Sequence, residues 1–315
     1  MSRVQDVYPD DRVSLREVGL RDGLQLVKTF PSTTAKQRWI RDEYAAGVRH
    51  FEAGSFLPAK TFPQFSDVRD VVKTIADLPG ARGIALALNE RGVNEALASG
   101  VAEIASVVSA TEEHSQANAN RSRDSAIANI KRLCDLRDRS SHKPVVNAGI
   151  SMALGCSIVG PVDPNEVIRI AEKLYEIGVD MVAVADTVGY AGPRQVGELT
   201  KAIVRIAGSK PVCVHLHDTR GMGIANASAA LDAGARVLDG SLGGLGGCPF
   251  APGATGNVVF EDLVFLCESK GFATGIDLER LVAVRAVLRS EMPGEALYGG
   301  LARAGLPRGT AAKAA

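Results

Sequence analysis

The sequence has no excess of charge of either sign. Its 315 residues include 36 Lys and Arg against 36 Asp and Glu, so the formal net charge is zero. Nucleic-acid binding and attachment to an anionic membrane surface both depend on a basic surface, and a neutral balance gives neither any support. We therefore predict no nucleic-acid partner and no membrane partner, while a local basic patch for an anionic substrate stays compatible with the composition.

Paired cysteines and long apolar runs are also missing. The sequence has no Cys-x-x-Cys pair, and its five cysteines are widely spaced: Cys134, Cys156, Cys213, Cys248 and Cys267. An odd number of scattered thiols argues against a disulfide framework and is typical of a reducing compartment. No apolar run reaches membrane-spanning length, and the first residues have no signal-peptide pattern. These absences predict a cytoplasmic protein.

Short apolar runs alternate with longer amphipathic ones along most of the chain. This alternation predicts strands at 13–19, 49–55, 83–88, 103–109, 145–154, 181–187, 212–218 and 235–241. Helices are predicted at 34–46, 67–77, 92–99, 123–138, 164–177, 192–207, 222–233 and from Asn257 onward. Eight such units predict a (β/α)₈ TIM barrel. A doubly wound sheet is the alternative, weakened because no Gly-x-Gly-x-x-Gly follows the first strand.

The end of the chain differs from the repeating part. The string GIDLERLVAVRAVLRSEM, which begins at Gly275, predicts one extra amphipathic helix packed on the barrel. The final GLPRGTAAKAA is small and polar, and we expect it to be frayed. We therefore divide the chain into a catalytic barrel, residues 1–274, and a C-terminal helical extension, residues 275–315.

Two histidines stand two residues apart in the string CVHLHDT. His215 and His217 lie on one face of the predicted seventh strand. We expect this face to point toward the barrel axis near the carboxyl end of the strand, where barrel enzymes have their active sites. Two imidazoles so placed are suited to binding one metal ion, and a pair of core histidines is the alternative. The apolar residues of the strand would then face the helices: Val212, Val214 and Leu216.

Charged residues follow the first predicted strand, in EVGLRDGLQ. Asp22 offers a hard oxygen to a metal, and the guanidinium of Arg21 can hold an anionic oxygen. Alone, Arg-Asp-Gly would indicate a surface turn. Because the ends of all barrel strands meet at one rim, we expect these two residues to lie beside the histidines.

A glycine-rich segment, GSLGGLGGCPFAPGATGN, follows the eighth predicted strand. Its glycines allow a loop to approach a ligand closely, and Cys248 within it could serve as a proton donor or base. The alternative is a bystander thiol in a flexible loop. Asn257 could offer an amide oxygen to the metal, or it could be an ordinary N-cap of the last barrel helix.

Three strings, GLRDGLQ, HLHDT and GLGGCPFAPGATGN, resemble the 3-hydroxy-3-methylglutaryl-CoA lyase family over roughly residues 13–290. The resemblance implies a TIM barrel that binds a divalent cation, Mg²⁺ or Mn²⁺, through Asp22, His215, His217 and Asn257. It implies catalytic roles for Arg21, which stabilises the enolate, for Cys248, and for two acidic residues, Glu52 and Asp186. Glu52 could instead form a structural ion pair, and Asp186 could cap the following helix. We also include His215 among the catalytic residues, and we expect Arg21, Gln25 and Arg220 to contact the substrate.

The resemblance implies a retro-Claisen cleavage of an acyl-CoA. A base removes the proton of the 3-hydroxyl, the C2–C3 bond breaks, and acetyl-CoA leaves as an enolate that an acid, with Cys248 as the candidate, protonates. The remaining product is a keto acid, which is acetoacetate for the methylglutaryl substrate. A homodimer is expected by resemblance only.

The chain departs from the family pattern at three strings: HDTRGMG, LQLV and EAGSF. In the first, Arg220 replaces an aromatic residue, and we predict that it favours another or more acidic substrate such as a citramalyl-CoA; a solvent-facing Arg220 is the alternative. Other functions stay open: a Claisen-type condensing synthase, a non-haem iron oxygenase and a non-catalytic barrel.

Overall fold

The computed structural model describes residues 3–247 and 256–307. Eight parallel strands pair in chain order and close into a barrel: β1 Ser14–Glu17, β2 His50–Ser55, β3 Arg82–Leu86, β4 Glu103–Ser109, β5 Val145–Ser151, β6 Met181–Asp186, β7 Val212–Leu216 and β8 Val237–Gly240. The closure is made by β8, which pairs with β1 in the register Glu17 to Gly240. This topology confirms the predicted (β/α)₈ TIM barrel and excludes the doubly wound sheet.

Helices separate the strands. Within the described residues they are α1 Arg3–Val7, α2 Thr33–Ala45, α3 Val68–Ala76, α4 Glu90–Ser99, α5 Glu112–Ala119, α6 Arg123–Arg139, α7 Pro164–Glu176, α8 Pro193–Ala207, α9 Gly223–Asp232, α10 Phe260–Ser269, α11 Leu278–Glu291 and α12 Gly300–Ala304. The sequence pattern did not predict α1, α5 and α12. Each has eight residues or fewer, too few turns for a helical period to be visible.

The predicted strand ends differ from the observed ones at the active rim. The first strand was expected to reach residue 19, but it ends at Glu17 because the chain enters a single π turn, Gly19–Gly23. The fifth was expected to reach residue 154 and ends at Ser151. Both errors have one cause, since apolar rim residues continue the strand pattern after the ladder has stopped.

Apolar side chains fill the layer between the strands and the helices. On β7 the residues predicted to face the helices, Val212, Val214 and Leu216, belong to this main core. A smaller apolar cluster lies inside the barrel at the amino ends of the strands and includes Val145, Cys213 and Val237. Helix α1 covers this end, because Tyr8 packs into the same cluster and the carbonyl of Val7 contacts Nε2 of His50 at 2.9 Å.

The C-terminal helix α11 packs against α2 and α10, as expected of an extension on the barrel. Its apolar face is buried through Leu281, Val284 and Leu288. A close crossing precedes it: Gly47 has φ +108°, and a Cβ there would lie 2.2 Å from the carbonyl oxygen of Gly275. The division of the chain at residue 274 stays a prediction. No helix of residues 3–247 or 256–307 combines the length and apolarity needed to cross a bilayer.

Candidate active site

The π turn after β1 presents Arg21 and Asp22 at the carboxyl end of the barrel. The backbone N–H of Asp22 donates to the carbonyl of Val18 at 2.8 Å, and that of Gly23 donates to the same carbonyl at 3.2 Å. Gly19 opens the turn in a place without room for a side chain, since a Cβ there would lie 2.6 Å from Oε1 of Glu17. Such π turns are frequent at functional sites, and this one brings two charged residues to the rim.

Asp22 meets the two histidines of the β7 end. Its Oδ2 lies 3.4 Å from Nε2 of His217 and 3.9 Å from Nε2 of His215. One ligand atom from each of the three residues falls within 4.8 Å of the other two. The predicted meeting of Asp22 with the histidine pair is therefore confirmed as geometry, while the metal-binding role of the two histidines stays a prediction.

Asn257 completes the same group. It forms an isolated backbone bridge with His217, and its Nδ2 donates to Oδ2 of Asp22 at 2.8 Å and to the carbonyl of Leu245 at 3.2 Å. Its Oδ1 is buried and accepts no hydrogen bond from any described residue. The N-cap alternative is wrong, because α10 begins at Phe260 and its N-cap is Val259. An unpaired amide oxygen is left beside a carboxylate and two imidazoles.

These donors fit a divalent cation. A carboxylate and an amide oxygen are hard ligands that suit Mg²⁺ and Mn²⁺, and neutral imidazole nitrogen is compatible with Mn²⁺ and other transition metals. A bound cation would also satisfy the buried Oδ1 of Asn257, which the surrounding protein leaves unpaired. The residues that would hold the cation are Asp22, His215, His217 and Asn257.

Arg21 lies beside this group and contacts three of its neighbours. Its Nη1 donates to Oδ1 of Asp22 at 2.6 Å and to Oε1 of Gln25 at 3.2 Å, and its Nε lies 2.8 Å from Oε1 of Glu52. Burial raises the pKa of Asp22, but Arg21 and the two histidines outweigh it and hold that pKa well below its ordinary value. The site therefore keeps a charged carboxylate ready for a cation.

Glu52 stands on β2 and is buried. Burial raises the pKa of its carboxyl, and the ion pair with Arg21 opposes that rise. Glu52 therefore does form the ion pair that was given as the alternative. Its partner is Arg21, the residue whose guanidinium has a predicted catalytic role. Glu52 is thus brought to the predicted site together with Arg21 and Gln25.

Asp186, at the end of β6, binds the backbone of the loop that follows it. Its carboxylate accepts hydrogen bonds from the backbone N–H groups of Tyr190 at 2.9 Å and Ala191 at 3.1 Å. It is not the N-cap of α8, which is Gly192, so the capping alternative is wrong in detail. Its own carbonyl accepts from the N–H of His217 at 3.3 Å, which links this loop to the candidate metal site.

Arg220 is exposed and lies over the same loop. Its Nη1 donates to the carbonyls of Val188 and Gly189, both at 3.0 Å, and its guanidinium stacks 4.5 Å from the ring centroid of Tyr190. These contacts hold the guanidinium against the loop, and the predicted influence of Arg220 on the substrate stays a prediction.

Cys248 lies outside the described residues. The two ends of its loop are described, and a Cβ on Gly256 would lie 2.7 Å from the carbonyl oxygen of Gly246.

Sequence reasoning missed Asp239 and Arg16, which stand inside the barrel on β8 and β1. Oδ2 of Asp239 lies 3.0 Å from Nδ1 of His215, and Arg16 binds both carboxylate oxygens of Asp239. Burial raises the pKa of Asp239, but Arg16 and His215 outweigh it and hold that pKa far below its ordinary value. The available signal was Asp239 itself, a charged residue that directly follows Val237 and Leu238 within the predicted eighth strand.

The sequence matches the HMGL-like family model over residues 12–288. The chain therefore belongs to the HMGL-like family. A match of this length includes every strand of the barrel.

Individual relatives agree with this assignment. Hydroxymethylglutaryl-CoA lyase YngG of Bacillus subtilis is 35% identical over 285 residues, which cover 90% of this chain and 94% of that protein. The 3-hydroxy-3-isohexenylglutaryl-CoA/hydroxy-methylglutaryl-CoA lyase of Pseudomonas aeruginosa is 38% identical, with 86% and 90% covered. A solved HMG-CoA lyase from Acinetobacter baumannii, in complex with coenzyme A and 3-methylmalate, superposes with a TM-score of 0.88 at 32% identity, covering 96% of this chain and 97% of that one.

Proposed function

We propose that the protein is a divalent-metal-dependent carbon–carbon lyase acting on an acyl-CoA. It cleaves a 3-hydroxy-3-methylglutaryl-CoA-type thioester into acetyl-CoA and a keto acid, which is acetoacetate for the methylglutaryl substrate. The observation that carries the proposal is the meeting of Asp22, His215 and His217 at one rim, with Arg21 in contact with Asp22. The names of the Bacillus and Pseudomonas relatives support the same reaction.

A divalent cation held by Asp22, His215, His217 and Asn257 would act as a Lewis acid and lower the pKa of the substrate hydroxyl. The 3-hydroxyl then loses its proton to a base, the C2–C3 bond breaks, and its electron pair passes to the acetyl-CoA enolate. Arg21 offsets the negative charge on the enolate oxygen. Because its contacts to Asp22, Gln25 and Glu52 use Nη1 and Nε, we expect Nη2 to meet that oxygen. Cys248 protonates C2 and completes acetyl-CoA.

Finer predictions belong to the same proposal. The cation is Mg²⁺ or Mn²⁺, in keeping with a donor set that includes a carboxylate and an amide oxygen. The chain functions in the cytoplasm and forms a homodimer. Arg220 influences which acyl group is accepted. Two further substrates should be compared with the methylglutaryl one: citramalyl-CoA and an isohexenylglutaryl-type thioester. The alternative enzyme class is a Claisen-type condensing synthase, which forms the carbon–carbon bond that a lyase breaks.

The test is incubation of the purified protein with Mg²⁺, and separately Mn²⁺, and a panel of thioesters. The panel contains 3-hydroxy-3-methylglutaryl-CoA, its isohexenyl analogue and citramalyl-CoA, and acetyl-CoA is measured by mass spectrometry. We expect metal-dependent release of acetyl-CoA with the methylglutaryl substrate among those cleaved. A preference for citramalyl-CoA would support the role of Arg220, and no acetyl-CoA from any thioester with either metal would contradict the proposal.

A variant of the predicted acid separates lyase from simple binding. Cys248→Ser should lose most turnover, on the order of 10²-fold or more, while binding Mn²⁺ as before. Cys134→Ser, at a buried cysteine of α6 away from the rim, is the matched control. Unchanged turnover in Cys248→Ser would remove the cysteine from the mechanism.

A further inference from the structure

The barrel interior contains a continuous chain of buried polar contacts below the rim. Nδ1 of His215 lies 3.0 Å from Oδ2 of Asp239, and Arg16 contacts Asp239 with Nε at 2.5 Å and Nη2 at 2.8 Å. The third nitrogen of Arg16, Nη1, lies 2.7 Å from Oε1 of Glu103. Tyr8, which follows α1, donates its hydroxyl to the other oxygen of Glu103. The chain of contacts therefore runs from the covered amino end of the barrel to the active rim.

We propose that Asp239 and Arg16 are positioning residues for His215, setting which of its ring nitrogens is free to bind the cation. The inference rests on the proposed metal-binding role of His215 and names two residues beyond that site. Asp239 receives two N–H groups of one guanidinium, a bidentate pairing that fixes the plane of the carboxylate. Because both oxygens of Asp239 accept from the guanidinium, the contact with the neutral imidazole is made by an N–H at Nδ1 of His215. Nε2, which points to Asp22, keeps its lone pair.

The two histidines are positioned by different means. His217 has a buried Nδ1 that meets no hydrogen-bond partner among the described residues, and its backbone is instead bridged to Asn257. Only His215 has a carboxylate behind its ring. Loss of Asp239 should therefore disturb one imidazole of the pair and leave the other in place, which makes the proposal residue-specific.

Arginine suits this position because it makes all three contacts at once. Its Nε and Nη2 match the two oxygens of Asp239 while Nη1 turns to Glu103 across the barrel. A lysine would keep the positive charge between two buried carboxylates but could not grip Asp239 with a planar fork. Arg16→Lys thus separates fixing the carboxylate from neutralising it.

The experiment measures Mn²⁺ binding by electron paramagnetic resonance on the full chain, without substrate. Asp239→Asn keeps the shape, removes the charge, and should weaken Mn²⁺ binding by about 10- to 100-fold, the range found when partners behind a metal ligand are lost. Arg16→Lys should weaken it in the same direction. The matched control is Arg137→Lys, because Arg137 is equally buried and pairs with Asp180 at 2.6 Å outside the barrel; its Mn²⁺ affinity should stay within about twofold of the parent.

A spectroscopic readout accompanies the binding measurement. Nitrogen NMR of the metal-free protein, labelled at histidine and recorded as the pH is raised until the His215 signals stop changing, reports the tautomer of the neutral imidazole. We expect Nδ1–H in the parent and a loss or mixing of that tautomer in Asp239→Asn, with the His217 signal unchanged. Near-ultraviolet circular dichroism checks that each variant folds. If Asp239→Asn does not fold, Arg16→Lys provides the test.

The outcomes distinguish this inference from the proposed function. An Nε2–H tautomer in the parent would overturn the inference, as would Mn²⁺ affinities in both variants equal to that of Arg137→Lys. Failure of the thioester panel with intact Mn²⁺ binding would reject the lyase reaction and leave the positioning role standing. A parent that binds no Mn²⁺ would reject the metal site, and the positioning role with it.

Discussion

Nδ2 of Asn257 donates a hydrogen bond to Oδ2 of Asp22 across 2.8 Å, although one residue follows the first strand and the other follows the last. The contact is possible because β8 pairs with β1 and places the two strand ends side by side. Closure of the barrel therefore assembles the candidate metal site. A protein with the eighth strand unpaired would separate Asn257 from its carboxylate neighbour.

Asp22→Asn should abolish strong metal binding. The substitution keeps the shape of the side chain and removes the only carboxylate in the group formed with His215 and His217. We expect Mn²⁺ affinity to fall by about 10²-fold or more, with turnover falling in parallel. Binding is measured by electron paramagnetic resonance. Asp42→Asn, at a half-exposed residue of α2 paired with Arg38, is the control and should bind Mn²⁺ normally. Equal affinities would remove Asp22 from the ligand set.

The fold could be predicted because every strand and helix that builds the barrel has its own local pattern. Short apolar runs alternate with amphipathic ones, and the eight strands all appear where the alternation placed them. The meeting of Asp22 with the histidines was also predictable, since a barrel brings all its strand ends to one rim. No contact between specific side chains was needed for either conclusion.

The hydrogen-bond partners of side chains at the rim and inside the barrel could not be predicted in the same way. Asp186 lies at a strand end, yet its carboxylate binds the N–H groups of Tyr190 and Ala191, a choice made by the path of the loop. Asp239 and Arg16 lie on the last and the first strand of the barrel, and only the register between these two strands brings them together. Tertiary geometry decides which rim or axial residue faces a ligand and which one holds a neighbour.

Glu52→Gln tests whether the partner of Arg21 matters for catalysis. Both side chains are largely buried, with Oε1 of Glu52 at 2.8 Å from Nε of Arg21. Loss of the charge should loosen the guanidinium of Arg21, for which we propose contact with the enolate, so kcat should fall by about 10- to 100-fold with little change in KM. Mn²⁺ affinity should be retained, because Glu52 is outside the ligand group. Steady-state kinetics make the measurement, with Glu90→Gln at an exposed ion pair as control. An unchanged kcat would leave Glu52 a purely structural ion pair.

Arg220→Met tests the role of the exposed arginine over the β6–α8 loop. The substitution keeps an unbranched side chain and removes the hydrogen bonds to the carbonyls of Val188 and Gly189. We expect a looser loop and a KM for the preferred thioester raised by about 3- to 10-fold, with kcat nearly unchanged. The control is Arg194→Met, at an exposed residue of α8. A changed order of preference among the thioesters, with KM for each unaltered in the control, would assign Arg220 to acyl selection. Kinetics equal to those of the control would make it a solvent-facing residue.

A buried acid lies under the loop that follows β8. Oε1 of Glu17 accepts hydrogen bonds from the N–H groups of Gly19 and Leu242, both at 2.9 Å, while its Oε2 is buried with no donor among the described residues. Burial raises the pKa of Glu17 to about 8, the two N–H groups oppose the rise, and the charge of Glu261 adds to it. The folded protein therefore holds a proton on Glu17 at a pH where the unfolded chain has lost it.

The free energy of unfolding should accordingly fall as the pH rises from about 5 to about 8. In that interval the native state binds more protons at Glu17 than the unfolded state does, so each increase in pH favours unfolding. Glu17→Gln is neutral at every pH and keeps an oxygen for the two N–H groups. We expect this variant to lack the part of the decline that Glu17 causes and to exceed the parent at pH 8 by an amount on the order of 2–4 kcal/mol, relative to their difference at pH 5. Urea unfolding at the two pH values, without metal, makes the measurement. Glu172→Gln, at an exposed glutamate of α7, should keep the slope of the parent. Parallel pH profiles for the parent and Glu17→Gln would show that Glu17 is ionised in the folded protein and that its two N–H donors outweigh its burial.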